Sequence, residues 1–199
     1  MELSELKFDE KLHRYTVGNM VIPSVTQIMQ PLSVMKYGDI DKDALAAAAN
    51  RGTKVHEACE MFGAYGISET DEETEPYFEG FMAWVNEYKP VFLATEKQIV
   101  HTKLYYAGTV DCIARIHDKT ILVDYKTTVV LSECLASIQL EAYRRAVEDN
   151  GWSIDGKAIL QLKKDGSYVF REFPADDKEA WKTFQALMTI RAHQIKYPD

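Results

Sequence analysis

A chain of 199 residues, 46% hydrophobic and 27% charged, is long enough for one well-packed domain and has the composition of an ordinary globular protein. Its formal net charge of −8 excludes a general nucleic-acid coat, because backbone binding rests on Lys and Arg neutralising phosphates. It contains no run of about 18 apolar residues, so neither a membrane span nor a membrane partner is expected.

In chain order, the opening MELSELKFDEKLHRY lacks the basic start and apolar centre of a secretory signal. From Lys7 to Ile22 the pattern is that of a hairpin: Leu6-Lys7-Phe8, a polar turn, His13 to Val17, the pair Gly18-Asn19, then Met20-Val21-Ile22. Ser24 is a candidate cap for a helix beginning at Val25. A longer helix is predicted from about residue 41 through the alanine-rich run 44–49 to near Met61, with Gly52 a point of interruption. The acidic segment ETDEETE reads as a solvated loop or helix start, and a helix over about 75–88 stops before Pro90. Three strands follow, at about 94–102, 106–116 and 120–126. A helix over about 132–149 ends at Asn150-Gly151, and strands at 157–162 and 168–173 are joined at Asp165-Gly166. The last helix places Trp181, Phe184, Met188 and Ile195 on one stripe. Helix, three strands, helix, strand is an α/β arrangement in which helices cover a largely buried sheet. The chain reads as one domain over 1–199, with 1–35 an accessory N-terminal hairpin and helix. Cys59, Cys112 and Cys134 are odd in number and scattered, which indicates neither a disulfide framework nor a zinc knuckle and fits a reducing, cytoplasmic setting.

The most informative stretch is Gly108-Thr109-Val110-Asp111, followed by Asp124-Tyr125-Lys126-Thr127. Both aspartates lie in runs of strand character, and side chains alternate faces, so Asp124 and Lys126 share one face and Tyr125 the other. A turn centred on His117-Asp118 pairs Ile116 with Lys119 and, further along the ladder, sets Asp111 opposite Asp124. Carboxylates so placed, with Cβ atoms roughly 4.5–5.5 Å apart, repel unless compensated. A divalent cation with a lysine beside it is the natural compensation and the apparatus of phosphodiester hydrolysis. A turn aspartate and a same-strand salt bridge are the plainer readings, weakened by apolar neighbours that make an uncompensated charge costly.

Two helical groups stand beside this pair. In RGTKVHEACE, His56 and Glu60 share a helix face, but Glu60 stands where the zinc-protease pattern H-E-x-x-H needs histidine. Taken alone, they read better as a surface histidine with a local carboxylate. In QLEAYRR, Gln139 and Tyr143 are four apart, with Arg144 and Arg145 adding positive charge. Taken alone, this reads better as an amphipathic helix.

In order, GTKVHEACE, GTVD, VDYKT and QLEAY resemble the PD-(D/E)XK nuclease superfamily, in particular its RecB-like exonuclease branch, over about residues 51–145. The opening HRYTVGNMVIPSVTQIM is similar to the N-terminal segment of phage-type and mitochondrial genome maintenance exonucleases. The resemblance implies a restriction-endonuclease-like α-β-β-β-α-β core, with a central mixed sheet flanked by helices and preceded by the hairpin. It implies that Asp111 and Asp124 are acidic metal ligands, with His56 and the Tyr125 backbone carbonyl as further ones, and that Lys126 orients or activates the attacking water. Asp124 stands where glutamate is more familiar. Gln139 and Tyr143 would position the DNA strand, while Glu60 and Glu96 would support the ligands from behind. Arg51, Lys54, Arg144 and Arg145 are the phosphate contacts expected from guanidinium and ammonium chemistry. Three scattered cysteines exclude the four-cysteine iron–sulfur cluster of one subgroup.

The expected activity is that of a Mg²⁺- or Mn²⁺-dependent deoxyribonuclease, with one imidazole favouring Mn²⁺. An exonuclease on single- or double-stranded DNA ends, leaving a 5′-phosphate in DNA processing, recombination or repair, fits best, and a phage- or prophage-encoded origin is compatible. The rivals are a structure-specific or nicking endonuclease and a nuclease-like module that only binds nucleic acid. RNA as substrate, a recombination or single-strand-binding protein partner, and an oligomer all stay open.

Overall fold

The computed structural model describes residues 5–197, and the N-terminal alternation forms a small antiparallel sheet there. Its strands β1 (Leu6–Asp9), β2 (Arg14–Val17) and β3 (Met20–Ile22) set Phe8 opposite Tyr15, and Tyr15 opposite Ile22. Leu6, Phe8, Tyr15, Val17 and Ile22 pack on Val100 and Ala107, which fixes this sheet to the main one. Ser24 then caps α1 (Val25–Tyr37) through a reciprocal capping box with Gln27.

The helices α2 (Lys42–Tyr65) and α3 (Glu75–Tyr88) precede strands β4 (Val91–His101), β5 (Tyr106–Ile116) and β6 (Lys119–Lys126). After α4 (Glu133–Asp149) come β7 (Gly156–Leu162), β8 (Tyr168–Phe173) and α5 (Lys178–Lys196). The five strands lie in the order β4-β5-β6-β7-β8, and only β6 and β7 run parallel. That parallel pair needs a crossover, which α4 supplies. The sheet is buried on both faces. Val55, Cys59, Phe81 and Trp84 from α2 and α3 cover Cys112, Val123, Tyr125 and Leu160. Residues of α1, α4 and α5, among them Ile28, Leu140, Ala146 and Phe184, cover Ile113, Leu122 and Ile159.

Several expected boundaries move. Gly52 does not interrupt α2, which continues to Tyr65 and stops where Gly66 takes a left-handed φ of 74°. The β4 strand starts at Val91, directly after Pro90, and is irregular between Phe92 and Ala94. Ile195 is 70% exposed, so the apolar stripe of α5 does not extend to it. Among the described residues, no helix is long and apolar enough to cross a membrane.

Candidate active site

The β5–β6 hairpin closes with Ile116 opposite Lys119, and its ladder runs to Cys112 opposite Val123. One rung further, where Asp111 and Asp124 follow in the same register, the backbone ladder stops. There the Tyr125 N–H donates to Asp111 Oδ2 at 2.7 Å, so a side-chain carboxylate replaces a main-chain acceptor. Beyond that point β5 stays with β4 and β6 with β7, and the two strands part. Asp124, 2% exposed, places Oδ2 2.6 Å from Lys126 Nζ in a close ion pair.

Helix α2 brings His56 to this point, with Nδ1 3.5 Å from Asp111 Oδ1 and 4.0 Å from Glu96 Oε1. Glu96 reaches the site from β4 with a φ of 42°, a left-handed conformation that a non-glycine residue adopts at a cost. One ligand atom each from His56, Glu96 and Asp111 lies within 4.8 Å of the others. Glu96, expected only to support the ligands, is therefore placed beside them. Two carboxylates and an imidazole suit a divalent cation.

The electrostatics are set by burial and by the mutual charges of three carboxylates, one imidazole and one ammonium. Burial, reinforced by the charge of Asp111, pushes Glu96 up to about 8. Burial, only partly offset by Lys126, pushes Asp124 up to about 6. For His56 burial favours the neutral ring, but the Asp111 carboxylate outweighs it and holds the imidazole at about 9. Burial also opposes ionisation of Asp111, yet the facing His56 keeps it below the usual carboxylate range. Lys126 is raised, because the pull of Asp124 and Asp111 overcomes its burial.

A cleft of about 460 Å³ opens over His56, Glu96, Asp111 and Thr109. Glu60 lines it too, as does Thr53. Gln139 and Tyr143 pair on α4, the amide donating to the Tyr143 hydroxyl at 3.3 Å. The Tyr143 ring lies against Gly108, where an added Cβ would stand 2.6 Å from it, so the glycine of GTVD exists to admit this tyrosine. The Tyr125 ring is buried on the opposite face, 5.7 Å from His56 and 5.6 Å from Phe81, which leaves only its backbone for the site.

The expected phosphate contacts are already engaged. Lys54 pairs with Asp71 at 2.7 Å, and Arg51 with Glu73 at 3.6 Å and with the Tyr77 ring. Arg144, 6% exposed, holds Glu141, Glu148 and Asp176, and Arg145 holds Glu141 and Asp176. Neither arginine lines the cleft. Asp176, remote in sequence, closes the network, in which Arg144 is buried and Arg145 partly exposed. What the sequence reading missed is the hairpin: Phe8, Glu10, His13 and Tyr15 also line the cleft. Tyr15 is bonded to Thr109, through hydroxyl oxygens 2.7 Å apart.

A mixed sheet of this order, with two acids and a lysine at its parting strands and a histidine from the preceding helix, defines a nuclease fold of the kind that works with divalent metal ions. A family model described as the PD-(D/E)XK nuclease superfamily matches residues 5–199, and the chain belongs to that superfamily. No curated protein matches it. Among solved structures it is similar to an alkaline exonuclease (LHK-Exo) from Laribacter hongkongensis, at 13% identity and a TM-score of 0.49 over 87% of this chain and 89% of that one. The LHK-Exo complex with dAMP gives 15% identity and a TM-score of 0.41, over 88% and 90%. SSO0001 gives 16% identity and a TM-score of 0.38, over 62% of this chain and only 58% of its own length.

Proposed function

We propose that this chain is a deoxyribonuclease that hydrolyses phosphodiester bonds at DNA ends with Mg²⁺ or Mn²⁺. The observation that carries the reading is the convergence of His56, Glu96 and Asp111 beside the Asp124–Lys126 pair, where the β5–β6 ladder ends. A divalent cation there would polarise the phosphate and make water a better nucleophile. Lys126, a quarter exposed, supplies a positive donor for charge developing at phosphorus, and Asp124 holds that donor in place. Asp111 is held in turn by the Tyr125 N–H, which keeps its other oxygen, Oδ1, turned to His56. Gln139 and Tyr143 are suited to position the strand. Lys54 is exposed, and its surface pair with Asp71 is weak enough to exchange for a phosphate. Action at ends, rather than along a continuous duplex, is supported by the hairpin that walls one side of the cleft.

The test is digestion of end-labelled DNA with Mn²⁺ by the wild type, Asp124→Ala and Lys126→Ala, with closed circular DNA in parallel. Each substitution is expected to slow cleavage on the order of a thousandfold. Undiminished cleavage by both variants would overturn the assignment, and nicking of the closed circle would favour an endonuclease.

A further inference from the structure

The hairpin wall of the cleft is aromatic. Phe8 and Tyr15 are cross-strand partners whose rings stack with centroids 4.4 Å apart and planes at 25°. His13, at a left-handed φ of 44°, sets its ring edge-on to Phe8 at 5.3 Å. All three line the cleft that holds His56, Glu96 and Asp111. Tyr15 is buried and anchored to Thr109, two residues before Asp111, so the stack is fixed relative to the strand bearing that carboxylate.

Packing accounts for only part of this arrangement. Tyr15, Val17 and Ile22 form the buried core beneath the hairpin, whereas Phe8 is half-buried and His13 exposed. One face of Phe8 is covered by Tyr15, and its uncovered surface borders the cleft. The other residues around it are mainly carboxylates, Glu10, Glu57 and Glu60. Such a wall repels a phosphodiester backbone but accepts a flat, neutral ring and the amino groups on its edge. Phosphate is drawn instead to the metal-capable group. Charge therefore orients the strand, with backbone towards His56, Glu96 and Asp111 and base towards the hairpin.

We propose that Phe8 and His13, with Tyr15 backing Phe8 from beneath, form a stacking platform for one unstacked nucleobase of the strand being cleaved, next to the scissile phosphate. The proposal rests on the nuclease reading above. It makes the hairpin part of the substrate site and selects frayed or single-stranded ends, because a base held in a duplex stack cannot reach the platform.

The test uses single-stranded DNA in which an abasic tetrahydrofuran residue is stepped through the nucleotides next to the cleaved end, with Mn²⁺ throughout. Wild-type kcat/KM should fall roughly tenfold at one position, chiefly through KM. Phe8→Leu, which keeps apolar packing but removes the ring, and His13→Ala should cleave the intact strand more slowly and no longer distinguish the abasic one. Phe8→Trp should restore discrimination. If Phe8→Leu lowers the melting temperature, the exposed His13 carries the test. Equal cleavage of intact and abasic strands by the wild type at every position overturns the platform alone, as do variants that keep full discrimination. No cleavage of DNA by the wild type overturns the nuclease reading and the platform with it.

Discussion

Helix α4 touches two groups of charged side chains, and their bookkeeping differs. In one, Glu141, Glu148 and Asp176 face Arg144, Arg145 and Lys157, three charges against three, and each carboxylate has a partner at hydrogen-bond distance. Burial alone would raise Glu141, but the surrounding cations hold it at about 2. In the other, three carboxylates, Asp111, Asp124 and Glu96, face only Lys126 and a histidine, and Glu96 is pushed up to about 8. Burial is common to both, so it does not mark function. The mark is an imbalance that the protein leaves uncorrected, since desolvated charges are tolerated only when paired or when a ligand completes them.

The sharpest way to break this comparison is to unbalance the first group and relieve the second. Glu141→Ala strands the fully buried Lys157 and takes one of several partners from each of two arginines, and should cost about 3–5 kcal/mol in denaturant unfolding. Glu96→Gln should instead stabilise the metal-free protein near pH 9, by about 1–2 kcal/mol, because it removes a carboxylate whose charge is disfavoured by burial and by Asp111. Equal destabilisation by both would show that the two groups are not different in kind.

A metal should close the imbalance, and pH tunes how strongly. The folded pKa values of Asp124 (about 6), Glu96 (about 8) and His56 (about 9) all lie above their ordinary values of 3.8, 4.5 and 6.5. At these three groups the folded protein binds more protons than the unfolded chain, so their contribution to metal-free stability falls as pH rises from about 4 to 9. A divalent cation must displace those protons, so its affinity rises across the same window. Melting with EDTA or Mg²⁺ should show little gain near pH 5.5, and about 2–3 kcal/mol near pH 8.5 with metal at a hundredfold excess over Kd. A gain independent of pH would mean that the cation binds elsewhere.

A smaller effect is expected at the seam between the groups. Gly108→Ala drives a Cβ into the Tyr143 ring, which should cost about 1–3 kcal/mol and shift Tyr143 away from Gln139. DNA cleavage should weaken through KM. The Glu141 network does not touch Gly108, so its contribution in a Glu141→Ala, Gly108→Ala cycle should add without coupling.

The elements were legible because their signals are local: Ser24 capping α1, Pro90 ending α3, and Asp165-Gly166 between β7 and β8. The site was legible where it follows from strand register. A two-residue turn at His117-Asp118 and the period of two along each strand suffice to set Asp111 level with Asp124. The carboxylate partners of Arg144 and Arg145 were not legible, because an R-R pair on a helix looks the same whether it faces a phosphate or a buried carboxylate. Its partner Asp176 lies 31–32 residues further along the chain.

What the sequence by itself determined is thus the order of the elements, the β5–β6 register and the family motifs, all of which depend on spacing along the chain. The tertiary structure alone decided three things: that Glu96 stands beside His56, that Arg144 and Arg145 pair with Glu141 and Asp176, and that Tyr15 fastens an aromatic hairpin to Thr109 across 94 residues. The physical reason is the same in each case. A charge or a ring acquires its role from its neighbours, and those neighbours are set by how sheets and helices pack rather than by local periodicity.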